Sequence, residues 1–329
     1  DKKTVAWLAL EENTLMRQKG SRSRKLDNRA VVIQVRGYSK PGKELRNLLR
    51  KQGLVPAQGD LMQTALSLTG QVPGGYSSKL GLQLDPDMRA DQATKMILHR
   101  LLDIMLENED GTRTGTDTEF LHDYRVAIRR TRSALTQIKA VFPKRIIDRY
   151  KTEFAWLGQM TSPSRDLDVY LLSFDEYRDS LPADMQADIE PLRDFLIRHQ
   201  KIEHKALLKA LDSARYRRLI SSWRQFLEDP VNERSTLNNA GRPVSRVASE
   251  RIWRIYRRAI REGDAITTES PADDLHELRK TCKKLRYLME FFQSLYPGGE
   301  VKSLIRVLKT LQDNLGDFQD YEVQVATLK

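Results

Sequence analysis

The spacing of apolar positions changes near residue 88. Ahead of it, residues 4–10 (Thr-Val-Ala-Trp-Leu-Ala-Leu) and 29–38 (Arg-Ala-Val-Val-Ile-Gln-Val-Arg-Gly-Tyr) are dense in β-branched and aromatic residues and predict two strands. Between them, residues 19–25 (Lys-Gly-Ser-Arg-Ser-Arg-Lys) predict a basic loop. Two strands do not form a stable sheet alone, so this region must pack on something else or belong to a larger β domain. A short helix is expected after Pro41, ending at Gln52. Residues 70–87, with Pro73-Gly74-Gly75 and Ser77-Ser78, read as a linker. From Met88 onward the period is helical, as in Leu121, Tyr124, Ile128, Leu135 and Ile138. Stops are expected at Glu109-Asp110-Gly111, Phe142-Pro143, Ser162-Pro163-Ser164, Leu181-Pro182 and Tyr296-Pro297-Gly298-Gly299. Residues 228–243 are the most polar stretch and predict an exposed loop.

The helical region repeats itself. Residues 121–132 (Leu-His-Asp-Tyr-Arg-Val-Ala-Ile-Arg-Arg-Thr-Arg) match residues 275–286 (Leu-His-Glu-Leu-Arg-Lys-Thr-Cys-Lys-Lys-Leu-Arg) at an offset of 154. Phe142-Pro143 answers to Tyr296-Pro297 at the same offset, Leu157-Gly158 to Leu315-Gly316 at 158, and Asp166 to Asp320 at 154. Ordered agreement over separate segments favours duplication over chance similarity of two basic helices. The expected organisation is a small β-containing segment over 1–69, a linker over 70–87 and a helical domain over 88–329, with repeats at 88–213 and 214–329 related by a pseudo-two-fold axis.

Charge adds a direction. The 56 Lys and Arg outnumber the 45 Asp and Glu, a formal charge of +11, which favours an anionic partner such as nucleic acid, an anionic membrane surface or a polyphosphate. No apolar run is long enough to span a bilayer and the first residues lack the order of a signal peptide, so no membrane span or secretion is expected and the cytoplasm is the default. The single cysteine, Cys282, excludes an internal disulfide and a thiolate-rich metal site.

The surplus cations fall into rows. At about 100° per residue, His122, Arg125, Arg129 and Arg132 share roughly an 80° arc of one helix. His276, Arg279, Lys283 and Arg286 repeat the row, with Arg130 and Lys284 flanking. Lys144 and Lys151 answer to Lys302 and Lys309 at 158, with Arg306 one turn from each of the latter. Arg254, Arg257, Arg258 and Arg261 cluster on a helix without a repeat and carry less weight. A solvated charged face is the plain alternative for any one basic helix. A row of like charges repels itself, however, and a bound anion relieves that repulsion through charge-assisted hydrogen bonds. The two histidines head the rows, so binding of an anion is expected to tighten as the pH falls through their titration. There is no His-x-x-x-His or Cys-x-x-Cys spacing, no nucleophile elbow, no phosphate-cradling glycine loop and no carboxylate cluster. Neither a metal, a cofactor nor a catalytic residue is expected. Asp166, Asp168, Asp317 and Asp320 are read as orienting basic side chains or capping helices.

These duplicated segments, followed by Leu-Gly and by Arg-Asp-Leu-Asp-Val at 165–169, resemble the conserved-histidine α-helical domain, CHAD, over roughly residues 88–329. The second copy departs at 319–323, where Gln-Asp-Tyr-Glu-Val replaces Arg-Asp-Leu-Asp-Val. The resemblance implies a mainly all-α fold of two pseudo-symmetric four-helix bundles, a basic surface that binds inorganic polyphosphate, and targeting to polyphosphate granules. Residues 1–53, especially Gln34-Val35-Arg36-Gly37-Tyr38, are similar to the C-terminal part of a CYTH domain, a triphosphate tunnel fold. The Glu-x-Glu-x-Lys signature of that enzyme is missing, so no triphosphatase activity is expected of this chain. A triphosphatase accessory role and nucleic-acid binding are the competing functions. With aromatics at 7% and no groove-reading motif, nucleic acid is the weaker candidate.

Overall fold

The computed structural model describes residues 3–16, 23–57, 59–68 and 76–327, with residues 317 and 319–327 described by backbone alone. The chain divides into two compact units, Asp1–Ser77 and Ser78–Lys329.

In the first unit, β1 (Ala6–Glu11) pairs antiparallel with β4 (Arg29–Gln34), Ala6 opposite Gln34 and Glu11 opposite Arg29. Both predicted strands therefore form, and they form with each other. β2 (Thr14–Leu15) and β3 (Arg24–Lys25) add a second short ladder. Arg24 and Lys25, expected in a loop, are thus ladder residues, while residues 17–22 lie outside the described residues. The expected helix is α1 (Ser39–Lys51), which packs on β4. Gly42 permits that approach, since a Cβ there would stand 3.0 Å from the Gln34 Oε1. A second helix, α2 (Leu61–Leu68), was not anticipated from the sequence.

The second unit runs α3 (Ala90–Glu107), α4 (Glu109–Thr114), α5 (Thr118–Gln137), α6 (Lys144–Leu172), α7 (Phe174–Ser180), α8 (Glu190–Leu211), α9 (Ala214–Glu228), α10 (Val244–Asp264), α11 (Ala272–Phe291) and α12 (Gly298–Thr327). Local chemistry sets several ends: the Asp117 carboxylate accepts from the Glu119 N–H at the start of α5, and the Ser213 hydroxyl from the Tyr216 N–H at the start of α9. Two expected stops are corrected. The break near Glu109 falls at Asn108, and Gly111 lies inside α4, where the Phe120 ring occupies the space a Cβ would need, 2.1 Å from its Cγ. Ser162-Pro163-Ser164 does not end α6. The face Tyr150, Phe154, Leu157, Thr161 and Ser164 stays buried on both sides of Pro163, and the Thr161 and Ser162 hydroxyls both donate to the Gly158 carbonyl. Packing along a continuous face outweighs the one backbone hydrogen bond that proline removes.

α10, α11 and α12 each begin 154 residues after α3, α5 and α6. The duplication is therefore a duplication of helices. Among the described residues the second set comprises three long helices, and the positions 154 beyond α8 fall past residue 329. α9, placed with the second repeat by sequence, packs instead on α3, α6 and α8. Its Trp223 is fully buried against Tyr150 and Phe154, and its Tyr216 hydroxyl bridges Tyr124 and Glu109.

Two segments expected to be loose are held. Leu80 and Leu84, from the predicted linker, are buried in the helical core, and the Leu84 N–H donates to the Ser294 Oγ at 3.1 Å. Residues 69–75, in the same predicted linker, lie outside the described residues. The polar stretch before α10 supplies carbonyls to the open end of α3: Ala90 and Asp91 N–H donate to Arg242 and Ala240, and the Val244 N–H donates back to Met88. The first turn of a helix leaves donors without internal partners, and this segment satisfies them.

Candidate anion-binding groove

α5 and α11, the repeated basic helices, pack against each other. At their contact the Glu290 carboxylate accepts from Arg130 at 2.9 Å and from Arg286 at 2.6 Å. Arg130 also donates to the Ser78 carbonyl, Arg286 to the Gln312 Oε1, and both guanidinium groups lie over the Tyr287 ring. Both arginines were expected in the binding surface. They are instead largely buried and matched by a shared carboxylate, which sits one turn beyond Arg286 on the side facing α5.

Arg125 and Arg279 also turn inward. Arg125 donates to the Thr161 and Ser162 hydroxyls of α6, and Arg279 to the Gln312 carbonyl of α12, where it lies 2.7 Å from the place of a Gly316 Cβ. Ser162 and Gly316 are 154 apart, so the helical offset holds here. Gly158, by contrast, faces Arg132, and its pairing with Gly316 at 158 is not kept. Lys302 and Lys309 consequently sit about one turn away from the positions equivalent to Lys144 and Lys151. Together with Arg306 they are exposed on α12 and line neither cleft described below.

His122 is half-buried, its Nδ1 3.1 Å from the Arg165 Nη2. Arginine only donates, so Nδ1 accepts and the ring proton resides on Nε2. Arg165 is held in turn by the Thr118 carbonyl and lies 3.8 Å from Glu119. Burial, then the charge of Arg165, lowers the His122 pKa from the ordinary 6.5. Protonation at this ring is thus moved below the range in which the sequence alone placed it. A proton bound less tightly by the folded than by the unfolded chain makes stability rise with pH, so the contribution is complete above 6.5 and is lost as the pH falls. Unfolding measured at about pH 7.5 and 5.5 should show a smaller difference for His122→Gln than for the parent chain. An unchanged difference would mean the ring does not titrate in that window. His276 is half-buried at the equivalent position of α11. The residue answering to Arg165 is Gln319, whose side chain lies outside the described residues, as do those of Asp317 and Asp320.

The remaining cations converge. A cleft of about 590 Å³ is lined by Arg129 and Arg132 from α5, Lys151 from α6, and Lys280, Lys283 and Lys284 from α11, with no carboxylate among its lining residues. Arg129 and Lys283 are repeat mates, as are Ser133 and Tyr287, which also line it, so the cleft straddles the relation between the two copies. It adjoins a larger cleft of about 1080 Å³ through Thr136, Lys151 and Lys284. There Lys139, Lys144, Arg251, Arg254, Arg258 and Arg261 add positive charge over a floor that includes Ile138, Phe142 and Ile255. Its one carboxylate, Glu262, accepts from the Arg258 Nε. The cluster on α10 was visible in the sequence but lacked a repeat: the residues equivalent to Arg254, Arg258 and Arg261 are Arg100, Ile104 and Glu107. Lys139, Arg251 and Lys280 carried no signal beyond their charge. Lys280 pairs with Glu277, Lys144 with Asp148 and Arg258 with Glu262, yet cations outnumber carboxylates along both clefts; such a surplus raises the local potential and favours a polyanion, whose binding displaces counterions. Among the described residues no group of His, Cys, Asp and Glu could hold a metal, and no helix is long and apolar enough to cross a membrane.

The CHAD domain family model matches residues 96–329. Two proteins of Mycobacterium tuberculosis described as uncharacterized, one from each of two strains, are 26% identical over 276 residues, 79% of this chain and 51% of theirs. The chain thus spans about half the length of these curated relatives. The crystal structure of the CHAD domain from the plant Ricinus communis superposes with a TM-score of 0.62 at 25% identity, covering 74% of this chain and 79% of that one. PptA from Streptomyces chartreusis shares the fold, with a TM-score of 0.51 at 14% identity, covering 68% of this chain and 81% of that one.

Proposed function

The chain belongs to the CHAD domain family, and on that premise we propose that it binds inorganic polyphosphate along the groove between its two repeats, without hydrolysing it. Family membership supports a polyphosphate-related role. The observation that carries the finer reading is the smaller cleft, in which Arg129 and Arg132 of one copy face Lys280, Lys283 and Lys284 of the other with no carboxylate between them. A linear polymer with a charge on every unit matches a track of cations better than a compact anion does, because successive phosphates meet successive side chains. The larger cleft continues the track past Lys151 and Lys284 to the arginines of α10. By the same reading, the chain would be held at polyphosphate granules.

Direct titration with long-chain polyphosphate at two salt concentrations, with duplex DNA and RNA as competitors, tests this. Binding should weaken steeply with salt, since each phosphate contact releases counterions, and neither nucleic acid should displace the polymer at equal charge concentration. Equal displacement by DNA or RNA would identify the groove as a general polyanion surface. Incubation with tripolyphosphate and Mg²⁺ should release no phosphate. Steady release would instead support the triphosphatase reading suggested by the CYTH-like segment.

A further inference from the structure

The larger cleft holds an arginine unlike its neighbours. Arg251, Arg254, Arg258 and Arg261 stand at i, i+3, i+7 and i+10 of α10, so they share one stripe of the helix. Arg254, Arg258 and Arg261 are exposed along it, whereas Arg251 is 8% exposed, the most buried arginine among the described residues. It still lines the cleft. Its Nε donates to the Gln137 carbonyl at 2.6 Å, and among the described residues it has no carboxylate partner. Arg130 and Arg286, by contrast, share Glu290. A buried charge is ordinarily neutralised, because desolvation penalises it. Burial, then the nearby Arg254, lowers the Arg251 pKa, so both oppose the charge that the fold retains. An anion entering the cleft supplies the missing partner.

The guanidinium group is also held in place. Gln137 is the last residue of α5, and its carbonyl is one that a helix end leaves without an internal partner. The turn that follows passes through Ala140, whose φ of +59° is rare for a residue with a side chain. Asn239 fixes that turn, its N–H donating to the Ala140 carbonyl at 3.1 Å and its Nδ2 to the Lys139 carbonyl at 2.9 Å. Strained backbone kept beside a cleft marks a preorganised site. A guanidinium tied by its Nε offers its two terminal nitrogens to an incoming pair of oxygens and loses little freedom on binding.

Depth then selects among polyanions. In inorganic polyphosphate each phosphorus is bridged to the next by one oxygen, so the chain is no wider than a phosphate group. In DNA or RNA every phosphate is flanked by two sugars, which hold it back from a recess. The exposed arginines serve either polymer, and the recessed one serves the slender chain alone. We propose that Arg251 selects inorganic polyphosphate over nucleic acid by seating a phosphate in the recess of the larger cleft. This role presupposes that the groove binds polyphosphate.

The test is direct titration of the full chain with long-chain polyphosphate and, separately, with single-stranded DNA of the same number of phosphates at one low salt concentration. Arg251→Gln keeps a donor for the Gln137 carbonyl. It should bind polyphosphate about tenfold more weakly than the parent, the loss of one charge-assisted pair, and DNA within about twofold of it. Arg254→Gln, which removes an exposed cation from the same stripe, should weaken both polymers by a similar factor. Arg251→Lys retains the charge without the fork and should still lose polyphosphate affinity at least about threefold. Equal losses for both polymers with Arg251→Gln would make Arg251 one more cation of the cleft, or a support of the fold, and overturn the proposal. An Arg251→Lys variant that binds polyphosphate as the parent does would also overturn it. A parent chain that binds no polyphosphate would overturn the reading of the groove as well, whereas a parent that binds it and an Arg251→Gln variant that binds it equally well would overturn the selective seat alone.

Discussion

Replacing Arg129, Arg132, Lys283 and Lys284 together by alanine is expected to weaken long-chain polyphosphate binding about 30- to 1000-fold at low salt. The four line the smaller cleft, two from each copy. Each ion pair at a solvent-accessible surface is worth roughly 0.5–1 kcal/mol, which sums to about 2–4 kcal/mol, and every 1.4 kcal/mol is a factor of ten. The salt dependence carries the sharper signature. With about 0.7 counterion released per contact on a single-stranded polyanion, the logarithmic slope should fall by close to 3. Lys302→Ala, Arg306→Ala, Lys309→Ala removes three cations from α12 that line neither cleft and should change affinity little. If both variants lose affinity equally, the polymer responds to total charge and the groove is not its site.

Glu290→Ala should be the most destabilising single substitution among the charged residues at the contact of α5 and α11. It leaves the Arg130 and Arg286 guanidinium groups, 14% and 18% exposed, without their common carboxylate and close to each other. Removing one partner of a buried pair costs about 3–5 kcal/mol, because the remaining charge stays desolvated. At about 2–4 °C per kcal/mol for a unit of this size, the melting temperature should fall by roughly 6–20 °C. Glu290→Gln retains one acceptor and should lose less. Arg286→Ala should move the melting temperature more than it moves polyphosphate affinity, the reverse of the cleft variant. A loss under about 1 kcal/mol for Glu290→Ala would place this cluster in the class of exposed ion pairs.

Periodicity and repetition, both local properties of the chain, were sufficient to predict the two longer strands, the helical region, the 154-residue duplication and two histidine-headed basic helices. They also pointed to the family, since its motifs are short stretches of consecutive residues. Which cations face solvent and which are consumed by the fold was decided elsewhere. Arg130 and Arg129 are neighbours in sequence, yet one closes on Glu290 across a helix pair and the other lines the cleft. Arg125 turns to hydroxyls 36 and 37 residues away. Arg254, Arg258 and Arg261 join the groove only because α10 brings them beside Lys144 and Lys284. Spacing along a helix determines the direction in which a side chain leaves its axis, and that much the sequence by itself established. Whether a carboxylate, a hydroxyl or open solvent meets the side chain there depends on how the helices pack. That arrangement arises from burial summed over the whole core, so only the tertiary structure could separate the binding cations from the structural ones.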